Sequence, residues 1–214
     1  DAFAAKITAI LRQGVEANGK ASLLVSGGST PLPLFKRLSQ ADLAWDKVDV
    51  SLVDERWVEG TDSASNTKLV KENLLQGNAA AANFVEVKSE QSNAEDAVAD
   101  CTARFNAMQT PFDVLILGMG EDGHTASLFP CSEQIQAGLD LNTDADFIAV
   151  QPTTAPHQRM SLTLKRILDS KNTFLHLTGE SKKAVLEKAL AGEDAFEMPI
   201  RAVLKHADVQ LKWA

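Results

Sequence analysis

Short apolar runs of strand length alternate with helical periods along almost the whole chain, and this alternation restricts the fold more than any other feature of the sequence. Residues 21–26 (ASLLVS), 48–53 (VDVSLV) and 112–117 (FDVLIL) read as buried strands, as do Phe147–Val150, Thr173–Leu177 and Val209–Trp213, with 83–87 as a further short one. Apolar residues recur at helical spacing over 33–38, 66–75, 94–108, 160–168 and 182–190, with a last helical turn at 200–204. The chain opens on an amphipathic helix over 1–14, with Asp1 available as its N-cap. Strands that are apolar throughout, each followed by a helix, predict an α/β fold: a Rossmann-like, mostly parallel sheet with helices on both faces. No repeat, linker or charge run divides the chain, so a single domain over residues 1–214 is expected. The first residue is Asp rather than Met, so a strand before the first helix is allowed for.

Charge narrows the range of partners. The 214 residues carry 29 acidic against 21 basic side chains, a formal net charge of −8. That balance excludes a grip on nucleic acid or an anionic membrane by bulk charge, because polyanions reward clustered Lys and Arg. It leaves room for a small anionic ligand held by a few local cations. No apolar run approaches the roughly 18 residues that a membrane span needs. Two cysteines, Cys101 and Cys131, form neither a CxxC nor a His–Cys cluster, which speaks against a disulfide framework and a cysteine zinc site. A reducing, cytoplasmic setting is expected, with a small molecule as partner and a monomer as the assembly, a weak dimer being the alternative.

In an open parallel sheet, ligands bind beyond the carboxyl ends of the strands. Gly27, Gly28, Ser29, Thr30 and Pro31 follow the first strand, and Asp54, Glu55, Arg56 and Trp57 the second. After FDVLIL comes Gly118-Met119-Gly120-Glu121-Asp122-Gly123-His124-Thr125. Later strand ends lead to Arg159 and to Lys182. The GGSTP segment suits either an ordinary tight turn or an anion site, in which glycines let the backbone approach a phosphate and two hydroxyls add donors. It is no nucleotide P-loop, since no Lys follows in the GK[ST] arrangement. GMGEDG matches GxGxxG after a strand, yet it lies past the middle of the chain and runs into His124 and then Pro130 rather than a long helix, against a dinucleotide site.

His124 reads as a general base, glycine-flanked at a strand end and oriented by Asp122; the competing reading is a histidine capping the next helix. Alternation sends Asp54 and Arg56 to one side of their strand and Glu55 to the other, where a structural ion pair at the sheet rim is expected. Arg159 and Lys182 suit a phosphate or, equally, solvent. His176 falls in an apolar strand and is expected in the core; His157 and His206 are weaker candidates.

SLLVSGGSTP, VDVSLVDERWV followed by Ser65-Asn66, and FDVLILGMGEDGHTASLFP resemble the 6-phosphogluconolactonases, in order from about Ala21 to Lys182. The resemblance implies a phosphosugar-hydrolase domain that hydrolyses 6-phospho-D-glucono-1,5-lactone in the pentose phosphate pathway, without cofactor or metal. By the same resemblance, Gly27, Gly28, Ser29, Thr30, Arg159 and Lys182 would hold the phosphate, and His124 would activate water. Arg56 would steady the anionic intermediate. Asp54 and Asn66 would orient sugar hydroxyls or His124, while Gly120, Asp122 and Gly123 would complete the substrate-binding set. The wider group includes glucosamine-6-phosphate deaminases, whose acidic motif runs into Tyr, so Arg56 favours the lactonase branch. Two alternatives remain: a deaminase or isomerase in which Asp54 is the base and His124 aids ring opening, and a non-catalytic phosphosugar-binding regulator.

Overall fold

The computed structural model describes residues 2–214, so the expected cap at Asp1 lies outside the described residues. Helix α1 (Ala2–Asn18) buries Ala4, Ile7, Leu11 and Gly14 along one face and ends at Gly19, whose φ of 77° suits a residue without a Cβ. Strand β1 (Ala21–Val25) leads to α2 (Leu32–Leu38) and β2 (Val48–Leu52), both strands buried at every position. Beyond β2 come β3 (Asp54–Arg56), α3 (Asn66–Asn73) and the short β4 (Asn83–Phe84). The middle of the chain forms α4 (Val98–Phe105), β5 (Val114–Leu117), α5 (Ile135–Gly138), β6 (Phe147–Val150) and β7 (Arg159–Leu162). It closes with α6 (Leu164–Leu168), β8 (Thr173–Leu177), α7 (Glu180–Leu190), α8 (Ile200–His206) and β9 (Val209–Trp213). Among the described residues no helix is long and apolar enough to cross a membrane.

Six strands in the order β4-β2-β1-β5-β8-β9 make a sheet in which every pairing is parallel, as the alternation predicted. The apolar residues of its strands and flanking helices form one contiguous core, in which Phe105 packs edge-on against Phe147 with ring centroids 4.6 Å apart. Two expectations need correction. Phe147–Val150 is a strand, but it belongs to a separate antiparallel sheet, β3-β7-β6, and not to the parallel one. The helix expected over 160–168 begins only at Leu164, because Arg159–Leu162 pairs with strands on both sides as β7. Met160, Leu162 and Leu164 fit a period of two, and Thr163 supplies the helix cap by accepting the Arg166 N–H at 3.3 Å.

The two sheets meet at Val53. Its N–H donates to the Val25 carbonyl at 3.0 Å, and its own carbonyl accepts from Leu162 at 3.0 Å. One extended segment therefore leaves the parallel sheet and enters the antiparallel one. The carboxyl end of β2 thereby continues as a wall above the neighbouring strand ends.

Glu55 fixes where that wall meets α3. Its side chain is buried on the face opposite Asp54 and Arg56. One carboxylate oxygen accepts the N–H groups of Arg56 and Asn66, both at 2.8 Å, and the other accepts the Thr67 N–H at 2.7 Å and the Ser65 hydroxyl at 3.2 Å. Glu55 is structural, as expected, but its partners are the free N–H groups at the start of α3 rather than a cation. Burial pushes its carboxyl up from the ordinary value, against the pull of those N–H groups. Replacing Glu55 by Gln turns an amide donor toward backbone donors, and we expect a loss of about 1–3 kcal/mol in urea unfolding. The folded-state pKa lies above the unfolded one, so the contribution of Glu55 to stability falls as pH rises through that interval. The Gln variant lacks this dependence. An unchanged urea midpoint across pH would refute the assignment.

Candidate active site

A cavity of about 270 Å³ opens where the carboxyl ends of β1, β5 and β8 face β3 and β7. Ser26 ties two of these ends together: its hydroxyl donates to the Ile116 carbonyl at 3.0 Å and accepts the Gly118 N–H at 3.2 Å. Past Ser26 the chain needs glycine. A Cβ at Gly27 would lie 2.0 Å from the Asn66 side-chain oxygen, and Gly28 has φ of 90°. Asn66 also donates from its amide to the Asp54 carbonyl at 3.1 Å, which holds β3, α3 and the glycine turn against one another. Pro31 stands at the N-cap of α2 and no side chain caps that helix. The Ser29 and Thr30 hydroxyls in the cavity wall are therefore not used as caps.

Asp54 and Arg56 face the cavity together, as alternation along β3 predicted. Asp54 accepts the Ser127 hydroxyl at 2.6 Å. Arg56 donates from one terminal nitrogen to the Ala64 carbonyl at 2.8 Å. In the register of the small sheet Arg56 lies directly opposite Arg159, so two guanidinium groups share one face. Like charges in such a position destabilise a strand pair. Arg159 is buried; among the described residues its side chain donates only to the Pro156 carbonyl at 3.3 Å, and its Nε, like that of Arg56, is buried without a partner. Burial pulls Arg159 below the ordinary guanidinium value; the Arg56 charge adds to this and Asp54 opposes it. Two cations held this close, with donors to spare, form a wall suited to an anion.

The turn carrying His124 is closed on every side. The Gly120 N–H donates to the His124 carbonyl at 2.8 Å, and the Gly123 N–H to the Gly120 carbonyl at 3.0 Å. Asp122 Oδ1 meets His124 Nδ1 at 2.6 Å and accepts the His124 N–H at 3.0 Å. Burial pushes the Asp122 carboxyl up, but the bonds from His124 outweigh this and hold it below its ordinary value. With Nδ1 committed to Asp122, Nε2 is the ring atom left for proton transfer. A Cβ at Gly120 would lie 2.1 Å from His124 Nδ1, and one at Gly123, where φ is 79°, would meet Met198 at 2.8 Å. No helix follows: Thr125 bonds back to the Gly118 carbonyl at 2.8 Å and the next helix is α5, which agrees with setting the dinucleotide reading aside.

All the residues expected at the site line the cavity except Asp122 and Gly123, which stand behind His124 and shape its turn. Lys182 reaches the rim while paired with Glu121 at 2.9 Å. Three contributors escaped the sequence reading. Ser127 holds Asp54, Phe129 lies against His124, and His176 is buried as expected yet forms part of the cavity wall. Burial holds the His176 ring below the ordinary imidazole value. Alternation within FLHL places His176 on the same side as Phe174, but only the tertiary structure shows a cavity there. Among the described residues no three His, Cys, Asp or Glu side chains gather as a metal-ligand group. The arrangement combines a carboxylate-oriented imidazole with an anion-attracting wall.

The chain is similar in sequence and fold to known proteins. A 6-phosphogluconolactonase of Rhizobium meliloti is 42% identical over 216 residues, which covers 100% of this chain and 93% of that relative. The crystal structure of a 6-phosphogluconolactonase from Shewanella baltica superposes with a TM-score of 0.96 at 46% identity, covering 99% of this chain and 91% of that one. A monomeric glucosamine-6-phosphate deaminase shares the fold with a TM-score of 0.78 at 18% identity, covering 99% and 91%. The profile of the Glucosamine-6-phosphate isomerases/6-phosphogluconolactonase family matches residues 1–213. With the family profile matching residues 1–213 and relatives above 40% identity along the whole chain, the chain belongs to the glucosamine-6-phosphate isomerase/6-phosphogluconolactonase family.

Proposed function

We propose that the protein hydrolyses 6-phospho-D-glucono-1,5-lactone to 6-phospho-D-gluconate, the lactonase step of the pentose phosphate pathway. The observation that carries this reading is the pairing of His124, oriented by Asp122 at 2.6 Å, with the opposed guanidinium groups of Arg56 and Arg159 in one cavity. A lactone is already an activated ester, so hydrolysis needs a base for water, stabilisation of one oxyanion, and a hold on the phosphate. The substantial identity to lactonases supports the substrate.

In this mechanism Gly27, Gly28, Ser29, Thr30, Arg159 and Lys182 bind the phosphate, and Asn66 and Asp54 orient the sugar. His124 Nε2 takes a proton as water attacks the carbonyl carbon. Arg56 and N–H groups of the glycine turns stabilise the tetrahedral oxyanion. Collapse breaks the bond to the ring oxygen, which receives the proton from the imidazolium, leaving a carboxylic acid that ionises. Asp122 holds the imidazole and stabilises its charged form throughout. The groups assigned lie around one cavity, in keeping with a single domain over 1–214, and a monomer is the assembly proposed. The free Cys101 and Cys131 fit a reducing, cytoplasmic setting.

A paired assay on the lactone and on glucosamine 6-phosphate tests the reading. Lactone hydrolysis without ammonia release is expected; ammonia release would favour the deaminase chemistry instead. His124→Ala should lower lactone turnover by about 10²–10⁴-fold with the fold intact by circular dichroism. Turnover near wild type, after subtraction of spontaneous hydrolysis, would remove His124 from the base role. Arg159→Ala should weaken 6-phosphogluconate by about 10-fold or more while leaving gluconate nearly unchanged, as calorimetry can measure. Equal losses for both ligands would take the phosphate away from Arg159.

A further inference from the structure

Phe129 is as buried as a core residue and packs against the site. It is 3% exposed, yet it stands outside the contiguous apolar cluster that holds the other buried phenylalanines. Its ring meets two polar groups instead. The His124 imidazole stacks on it with centroids 4.1 Å apart and planes 23° from parallel. The Arg159 guanidinium carbon lies 5.1 Å from the same ring centre. His124 and Arg159 line the cavity, and Phe129 lies behind them. The two groups reach this ring from different parts of the fold, one from the loop after β5 and one from β7. The backbone that carries the ring is held by its own loop. The Phe129 carbonyl accepts the Ser132 N–H at 3.2 Å and hydroxyl at 3.1 Å, and the Leu128 N–H bonds to the Thr125 carbonyl at 3.0 Å.

We propose that Phe129 is a positioning residue whose single ring sets the distance and orientation between the imidazole and the guanidinium, so that proton transfer and phosphate binding occur in register on one substrate. The proposal rests on the roles given above to His124 and Arg159. An aromatic face attracts a guanidinium and stacks with an imidazole, and its rigid, two-torsion side chain orders both neighbours. The contact also strengthens as the reaction proceeds, because the imidazolium formed when water loses its proton is a cation over a π face. Asp122 alone fixes the ring of His124 at one edge; Phe129 fixes the plane in which it lies.

The test compares wild type, Phe129→Leu and Phe129→Tyr in lactone kinetics, corrected for spontaneous hydrolysis, and in calorimetric binding of 6-phosphogluconate and gluconate. Phe129→Leu should lower kcat by about 10-fold, as a misaligned base does. It should also weaken 6-phosphogluconate by about 5-fold with gluconate unchanged, as loss of a guanidinium platform does. Asp122→Asn should lower kcat without the binding loss, and Phe129→Tyr, which keeps the ring, should restore both properties. The upfield ring-current displacement of the His124 ring protons, lost in Phe129→Leu, reports the contact without turnover. If the Leu variant does not fold, Phe129→Met makes the same comparison. Kinetics and binding equal to wild type in a folded ring-less variant, or a loss that the Tyr variant shares, overturns the positioning role alone. A wild-type chain that leaves the lactone at its spontaneous rate overturns the functional reading and this proposal with it.

Discussion

The junction at Val53 governs the rest of the structure. A parallel sheet must end its strands somewhere, and normally they give way to loops. Here the segment that leaves β2 stays extended because Val53 is bonded to both sides, to Val25 in one sheet and Leu162 in the other. The small antiparallel sheet is thereby held over the carboxyl ends of the large one. Asp54 and Arg56 project from its floor, Arg159 joins them from the facing strand, and the glycine turns after β1 and β5 complete the enclosure. Without that shared residue the two guanidinium groups would have no reason to face the imidazole.

The parts of this arrangement that obey local rules were legible in the sequence. Runs such as VLIL and SLLV are buried on both faces and read as central strands, and the side assignment of Asp54, Glu55 and Arg56 needed only the two-residue period. Glycine-flanked His124 and its acidic neighbour were visible as a turn with chemistry in it. What was lost depends on partners far away in the chain. Residues 159–162 carry both a helical and a strand period, and only pairing with β3 and β6 decides between them. Glu55 looked like half of an ion pair because nothing in its vicinity announces that the start of α3 will lie beneath it. The Ser127 hydroxyl and the Asp54 carboxylate are 73 positions apart, so their contact is a property of the fold and not of either segment.

Electrostatically the molecule separates two tasks. Its surface is acidic overall, with a net charge of −8, while the cavity gathers cations whose hydrogen-bonding capacity is only partly used. Desolvation raises the cost of leaving Arg56 and Arg159 opposite each other, and Asp54 relieves only part of it. A small anion in the cavity would relieve the remainder, whereas a long polyanion would meet the acidic surroundings. The overall charge thus bears on the size of a ligand and the local pair on its sign.

The missing atom at Gly120 has a consequence for how such a site can change over generations. The volume that any other residue's Cβ would need is already filled by the imidazole, 2.1 Å away. Gly123 is blocked in turn by Met198 on the far side. At these two positions a lineage cannot explore alternatives one substitution at a time, because the first step displaces the imidazole or strains the turn that holds it. Change is left to the rim, where the Lys182 and Glu121 side chains are partly exposed, while the loop that carries the imidazole is inherited whole or lost.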